Sequence, residues 1–169
     1  MIGGRHRWHR TVPMAEIRVR LTAAADIPTI ASLRAQWTGA RSDPAFEARV
    51  REWLIAEGDR RLIWLASLGD EPAGLASLLE YHRMPRPDRL SSRWGYVGNM
   101  FVREDLRNLG IGAALLAAII AESQARGYAR LVLSPTERAV PFYQRAGFVA
   151  ADASAGGDRM MVRLPQSRT

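Results

Sequence analysis

The stretch Val102-Arg103-Glu104-Asp105-Leu106-Arg107-Asn108-Leu109-Gly110-Ile111-Gly112-Ala113-Ala114-Leu115-Leu116 runs from extended chain through two glycines into a long apolar helix. Its reading decides the fold. Upstream, Trp94 to Val102 is rich in aromatic and β-branched residues, as a strand should be. Downstream, Ile111, Leu115, Leu116, Ile119 and Ile120 recur at helical spacing. Gly110 and Gly112 therefore fall at a strand-to-helix junction. There the first amides of the helix lack intrahelical partners, and the helix dipole adds partial positive charge. Glycine lets the backbone approach an anion with no Cβ in the way, and Arg107 supplies a charged donor just upstream. The stretch reads as a phosphate site that a pyrophosphate would fit.

Other phosphate loops match less well. A dinucleotide fingerprint wants a third glycine where Leu115 stands and an acidic residue about twenty positions on, so NAD is a poor alternative ligand. A Walker A loop needs a lysine, and all 24 basic residues are arginine, which also removes Schiff-base chemistry on lysine.

The 169 residues suit one domain with a substantial core. With no cysteine there is no disulfide, thiolate metal site or cysteine nucleophile. No apolar run approaches the ~18 residues of a membrane helix, and the first dozen residues lack a signal-peptide core, so a cytoplasmic protein with no membrane partner is expected. The net charge of +7 is spread over dispersed arginines, without basic runs interleaved with aromatics, so no nucleic-acid partner is expected. Residues 1–13 read as a flexible tail. His6 and His9 lack the further ligands a metal needs, and no metal is expected. Residues 14–169 read as the domain.

Ile17 to Leu21 alternates as a half-exposed strand. Asp26-Ile27-Pro28 and Asp43-Pro44 each read as a cap followed by a helix start, and Trp37 and Trp53 fall on the apolar stripes as core residues. Arg61–Leu68 and Ala73 to about Met84 make a hairpin around Gly69-Asp70-Glu71-Pro72, and Pro85–Ser92 is a loop. Gly95 and Gly98 in the next strand suggest a bulge or a close approach. Leu131–Ser134 is a buried strand, Ser134 or Thr136 caps a short helix that ends at Gly147, and Met160–Leu164 closes the sheet.

The segment Arg107-x-x-Gly110-x-Gly112, followed by Ala139-Val140-Pro141-Phe142-Tyr143-Gln144-Arg145-Ala146-Gly147-Phe148, resembles the GCN5-related N-acetyltransferase (GNAT) family from roughly Ile17 to Leu164. The resemblance implies an α/β (α+β) fold: one mixed, mostly antiparallel sheet of about six or seven strands, flanked by about four helices and splayed to form a cofactor slot. It implies acetyl-CoA as co-substrate, with the pyrophosphate on the amides of Arg107, Asn108, Leu109, Gly110, Ile111, Gly112 and Ala113. The strand Met100-Phe101-Val102 would carry the pantetheine arm and thioester, and Ser134 would contact CoA. Tyr143 would be the general acid, since a phenol with a pKa near ~10 is protonated at neutral pH. Glu80 is the candidate base, with solvent as its rival, because Asn99 stands where many relatives carry a carboxylate. The implied reaction moves acetyl to a primary amine of a small molecule or peptide in a ternary complex. An acyl-CoA-binding module without turnover is the alternative, and a homodimer is left open.

Overall fold

The computed structural model describes residues 16–85, 87, 92–151 and 160–165. The expected tail at 1–13 and most of the Pro85–Ser92 loop lie outside these. In chain order the elements are β1 (Ile17–Leu21), α1 (Ile27–Trp37), α2 (Pro44–Glu57), β2 (Arg61–Leu68), β3 (Glu71–His82), β4 (Arg93–Val102), α3 (Ile111–Ala125), β5 (Leu131–Leu133), α4 (Val140–Arg145), β6 (Val149–Ala150) and β7 (Met161–Arg163). The strands form one sheet in the order β1-β2-β3-β4-β5-β7-β6. Every neighbouring pair is antiparallel except β4 with β5.

Helices cover both faces of this sheet, which is why β2 and β3 read as near-continuous apolar runs. On one face α3 drives Ile111, Leu115, Leu116 and Ile119 against Ala76, Leu78 and Val97, and α4 adds Tyr143 with Phe148 just beyond it. On the other face α1 and α2 bury Ile30, Leu33 and Val50 against Ile63, Leu75 and Phe101. Full burial of one such side chain is worth about 1.5–3 kcal/mol, so each layer holds its helices firmly on the sheet.

The caps divide. Asp43 accepts a 2.7 Å bond from the Phe46 amide and starts α2 as expected. Asp26 does not cap α1. A short 3-10 turn (Ala24–Asp26) precedes the helix, and the carboxylate turns back to the Ala23 amide at 2.7 Å and to both terminal nitrogens of Arg20 at 2.7 Å. These bonds, Arg20's first, hold its pKa down to about 2. Thr136 precedes the turn into α4 without a side-chain cap bond. Gly147 takes the left-handed conformation expected of a helix end, at φ 83°.

Candidate functional site

β4 and β5 pair through Gly95↔Leu131 and Tyr96↔Val132. Beyond that the strands part. β5 ends at Leu133, and Pro135 two residues on has no N–H with which to continue a ladder. β4 bends because it holds one extra residue: β3 passes from Leu75 to Ser77 while its partners on β4 pass from Phe101 to Gly98. The extra residue falls at Asn99, which has φ 50°, a conformation asparagine tolerates better than most side chains. Asn99 Nδ2 donates to Ser77 Oγ at 3.0 Å, and Ser77 Oγ donates to the Gly98 carbonyl at 3.1 Å, so the bulge is pinned to β3. Gly95 serves packing instead, since a Cβ there would lie 2.6 Å from Leu78 and 2.9 Å from Leu131.

The parted strands enclose a cleft of about 510 Å³ lined by Val97, Asn99 and Met100 on one side and Leu133, Ser134 and Thr136 on the other. Beyond Val102, β4 leads into the glycine loop. Gly110, at φ 88°, precedes α3, whose first intrahelical bond runs from Ala114 N to Gly110 O at 3.0 Å. The amides of Ile111, Gly112 and Ala113 come before that bond and have no helical carbonyl to meet. A Cβ on Gly112 would lie 3.6 Å from Phe142 and 3.7 Å from Val102, so anything longer meets the ring. The Arg107 side chain turns back toward the end of β4, 3.4 Å from both the Val102 carbonyl and Glu104, and stays exposed.

α4 ties the loop to the cleft. Phe142 faces Gly112 while its neighbour Tyr143 lines the cleft. The Tyr143 ring is 8% exposed and meets Phe142 and Phe148 edge-on at 4.9 and 5.8 Å between centroids. Among the described residues its hydroxyl has no hydrogen-bond partner. Burial, then the neighbouring Tyr96, raises its pKa, so it is a neutral phenol at pH 7. Free amides, a glycine that leaves room for an anion, an exposed arginine and an unpartnered phenol at the cleft together fit a CoA thioester.

Glu80 lies elsewhere. It is 7% exposed and, with Leu78, faces α3 rather than the cleft. Its carboxylate accepts from the Tyr128 hydroxyl and meets His82 Nε2 at 2.5 Å, with Arg126 at 3.5 Å and Arg93 at 3.8 Å. Burial raises its pKa, but the bonds from Tyr128 and His82 and the charge of Arg93 outweigh that, leaving it below the usual carboxylate range.

On the α1/α2 face lies a second cavity of about 340 Å³, and Asn99 lines both it and the cleft. Trp37 and Trp53 are not core residues as the stripes suggested. They are 40% and 39% exposed, Trp37 lining the cleft and Trp53 the second cavity. The helices bury Leu33 and Val50 and turn these rings to the openings.

A model of the acetyltransferase (GNAT) family matches residues 28–148, most of the chain. The chain belongs to this family. A glucosamine 6-phosphate N-acetyltransferase from Trypanosoma brucei brucei is 30% identical over 77 residues, covering 46% of this chain and half the length of that relative. The fold is that of solved GNAT structures. An acetyltransferase from Trypanosoma brucei superposes with TM-score 0.69 at 19% identity, over 83% of this chain and 98% of that one. Arabidopsis thaliana NAA60 in complex with acetyl-CoA gives TM-score 0.66 at 15% identity, over 88% and 98%.

Of the site residues the GNAT resemblance named, Met100, Ser134 and Tyr143 line the cleft; Val102, Arg107, Gly110 and Gly112 do not, and Gly112 is tied to it through Phe142, the neighbour of Tyr143. Asn108, left-handed at φ 65°, and the exposed Leu109 shape the loop between them. Phe101 does not line the cleft: its side chain packs in the α1/α2 layer and stacks on Trp37 at 5.6 Å. Tyr96, Ser77 and Arg61 also line the two cavities. A serine inside the apolar run of β3 was the available signal for Ser77, and nothing local marked the other two.

Proposed function

We propose that the protein transfers the acetyl group of acetyl-CoA to a primary amine by direct attack in a ternary complex. The observation that carries this is the parting of β4 from β5 beside Tyr143 and the free amides of α3. The amides of Ile111 to Ala113, with the exposed Arg107 just upstream as a charged donor, would hold the pyrophosphate. The β4 edge beyond Tyr96, which has no strand partner on the β5 side among the described residues, would offer backbone hydrogen bonds to the pantetheine arm. Attack forms the N–C bond and breaks the C–S bond, and Tyr143 would donate its proton to the departing sulfur. Among the described residues no carboxylate lines either cavity, so the amine would lose its proton to water rather than to Glu80.

That same lack of a carboxylate favours a second reading, an acyl-CoA-binding module without turnover. The two are separated by measuring CoA release with a thiol reagent over a broad amine panel, together with acetyl-CoA affinity. Release above the no-enzyme rate with any amine supports the transferase. Tight acetyl-CoA binding with no release from the whole panel supports the module, and the absence of binding removes both. We further propose a cytoplasmic protein, on the absence of cysteine; among the described residues no helix is long and apolar enough to cross a membrane.

A further inference from the structure

The cavity under α1 and α2 carries charge that acetyl transfer to an amine does not by itself require. Its walls are apolar: Ile30, Phe46, Val50, Trp53, Ile63 and Leu75. Ser77 and Asn99 stand on the sheet side, already bonded to each other and, through Ser77, to the Gly98 carbonyl. From the helices opposite come Arg34 and Arg49. Four arginines elsewhere, Arg20, Arg61, Arg103 and Arg126, each reach a carboxylate at 2.6–2.7 Å. Arg34 and Arg49 have no carboxylate partner among the described residues. Each lies over a ring of its own helix instead, Arg34 at 4.5 Å from the centre of Trp37 and Arg49 at 5.5 Å from that of Phe46. Stacking fixes the plane of a guanidinium and leaves its N–H edge to a planar anion.

We propose that the acceptor is an amine on an apolar, ring-bearing body that carries a carboxylate, with the ring in this cavity and the carboxylate on Arg34 and Arg49. This rests on the acetyl-transfer reading and adds the class of acceptor. The cavity volume lies within the ~300–1,000 Å³ of small-molecule sites. Because Asn99 lines both cavities, an amine leading from the ring toward Asn99 enters the cleft where the thioester would lie. A hexosamine phosphate fits poorly, although a relative is named for one. Its anion would suit the arginines, but its hydroxyls would face apolar walls and two polar side chains already engaged, and hydrogen bonds left unmade on burial are costly.

The test compares 4-(aminomethyl)benzoate, its uncharged analogue 4-(aminomethyl)benzamide and glucosamine 6-phosphate, by kcat/KM for acetyl transfer and by calorimetric Kd in the presence of CoA. The acid should exceed the amide and the sugar phosphate by about tenfold or more in both, as one charge-assisted pair allows. In Arg34→Gln/Arg49→Gln the acid-to-amide ratio should fall toward one. Equal values for acid and amide, or a preference for the sugar phosphate, overturn the inference and leave acetyl transfer standing. Preferential binding of the acid with no product from any of the three amines removes acetyl transfer and, with it, the acceptor assignment, whereas product formed without that preference overturns the acceptor assignment alone. No binding of the acid overturns it. If the double variant fails to fold, the wild-type comparison of acid with amide decides alone.

Discussion

Replacing Tyr143 by phenylalanine separates the chemistry of its hydroxyl from the packing of its ring. The ring is held edge-on by Phe142 and Phe148, and phenylalanine keeps both contacts. The hydroxyl has no partner among the described residues, so its loss breaks no protein hydrogen bond, and stability should move by less than about 1 kcal/mol. Acetyl-CoA affinity should hold, because the pyrophosphate amides are on α3. Turnover is another matter. No carboxylate lines the cleft, and a general acid is worth about 10²–10⁴-fold, or about 2.7–5.4 kcal/mol at 1.36 per decade. A simple thiol has a pKa near ~8.5, so water can carry part of the proton transfer and hold the loss toward the lower bound. The loss should appear in kcat, on an acceptor for which chemistry limits the rate. Because burial raises the phenol's pKa, wild-type kcat should show no fall below about pH 10 that Tyr143→Phe removes. A Tyr143→Phe enzyme with wild-type kcat across that range would refute the assignment and leave Tyr143 as packing.

Gly112→Asp should weaken acetyl-CoA binding sharply in a folded protein, since it sets bulk and negative charge between Phe142 and the free amides; unchanged affinity by calorimetry would move the pyrophosphate elsewhere. Arg107→Ala should cost only about 1–2 kcal/mol of the same affinity, one exposed donor being lost while the amides remain. With water rather than a carboxylate taking the amine's proton, kcat/KM for an alkylamine of pKa near ~10 should rise about tenfold per pH unit from pH 6.5 to 8.5; a plateau near pH 7 would reveal a protein base. Glu80→Gln should lower stability at pH 7 by about 2–3 kcal/mol, seen as a lower Tm. The folded carboxyl titrates below the unfolded one, so this stabilisation is present above the unfolded pKa of about 4.3 and fades as pH falls through the folded value. A loss of kcat larger than that of Tyr143→Phe would restore Glu80 as the base.

What could be read from the chain was local. The run from Val102 to Leu116 announced a strand, a glycine turn and a helix because each has its own period and punctuation, and the structure follows it closely. The parting of β4 and β5 is a different kind of fact. It depends on an extra residue at Asn99 relative to the partner strand β3; Gly98 flanks that bulge and Gly95 is a close approach, as the glycines suggested, but neither showed that β5 would part from β4 there. Glu80 shows the limit most clearly. Along β3, Leu75, Ser77, Leu79 and Tyr81 face α1, α2 and the cavities, while Ala76, Leu78 and Glu80 face α3. One step of register separates a residue beside the cleft from one beneath the opposite helix layer. Alternating polarity usually reveals that parity, but a sheet covered on both faces makes both rows of β3 apolar and erases it. The parity becomes visible only through partners distant in sequence: Tyr128 and Arg126 reaching Glu80 from one side, Asn99 and Arg61 reaching Ser77 from the other. Glu80 thus holds its end of β3 to Tyr128 and Arg126 beyond and at the end of α3, and among the described residues no carboxylate lines the cleft.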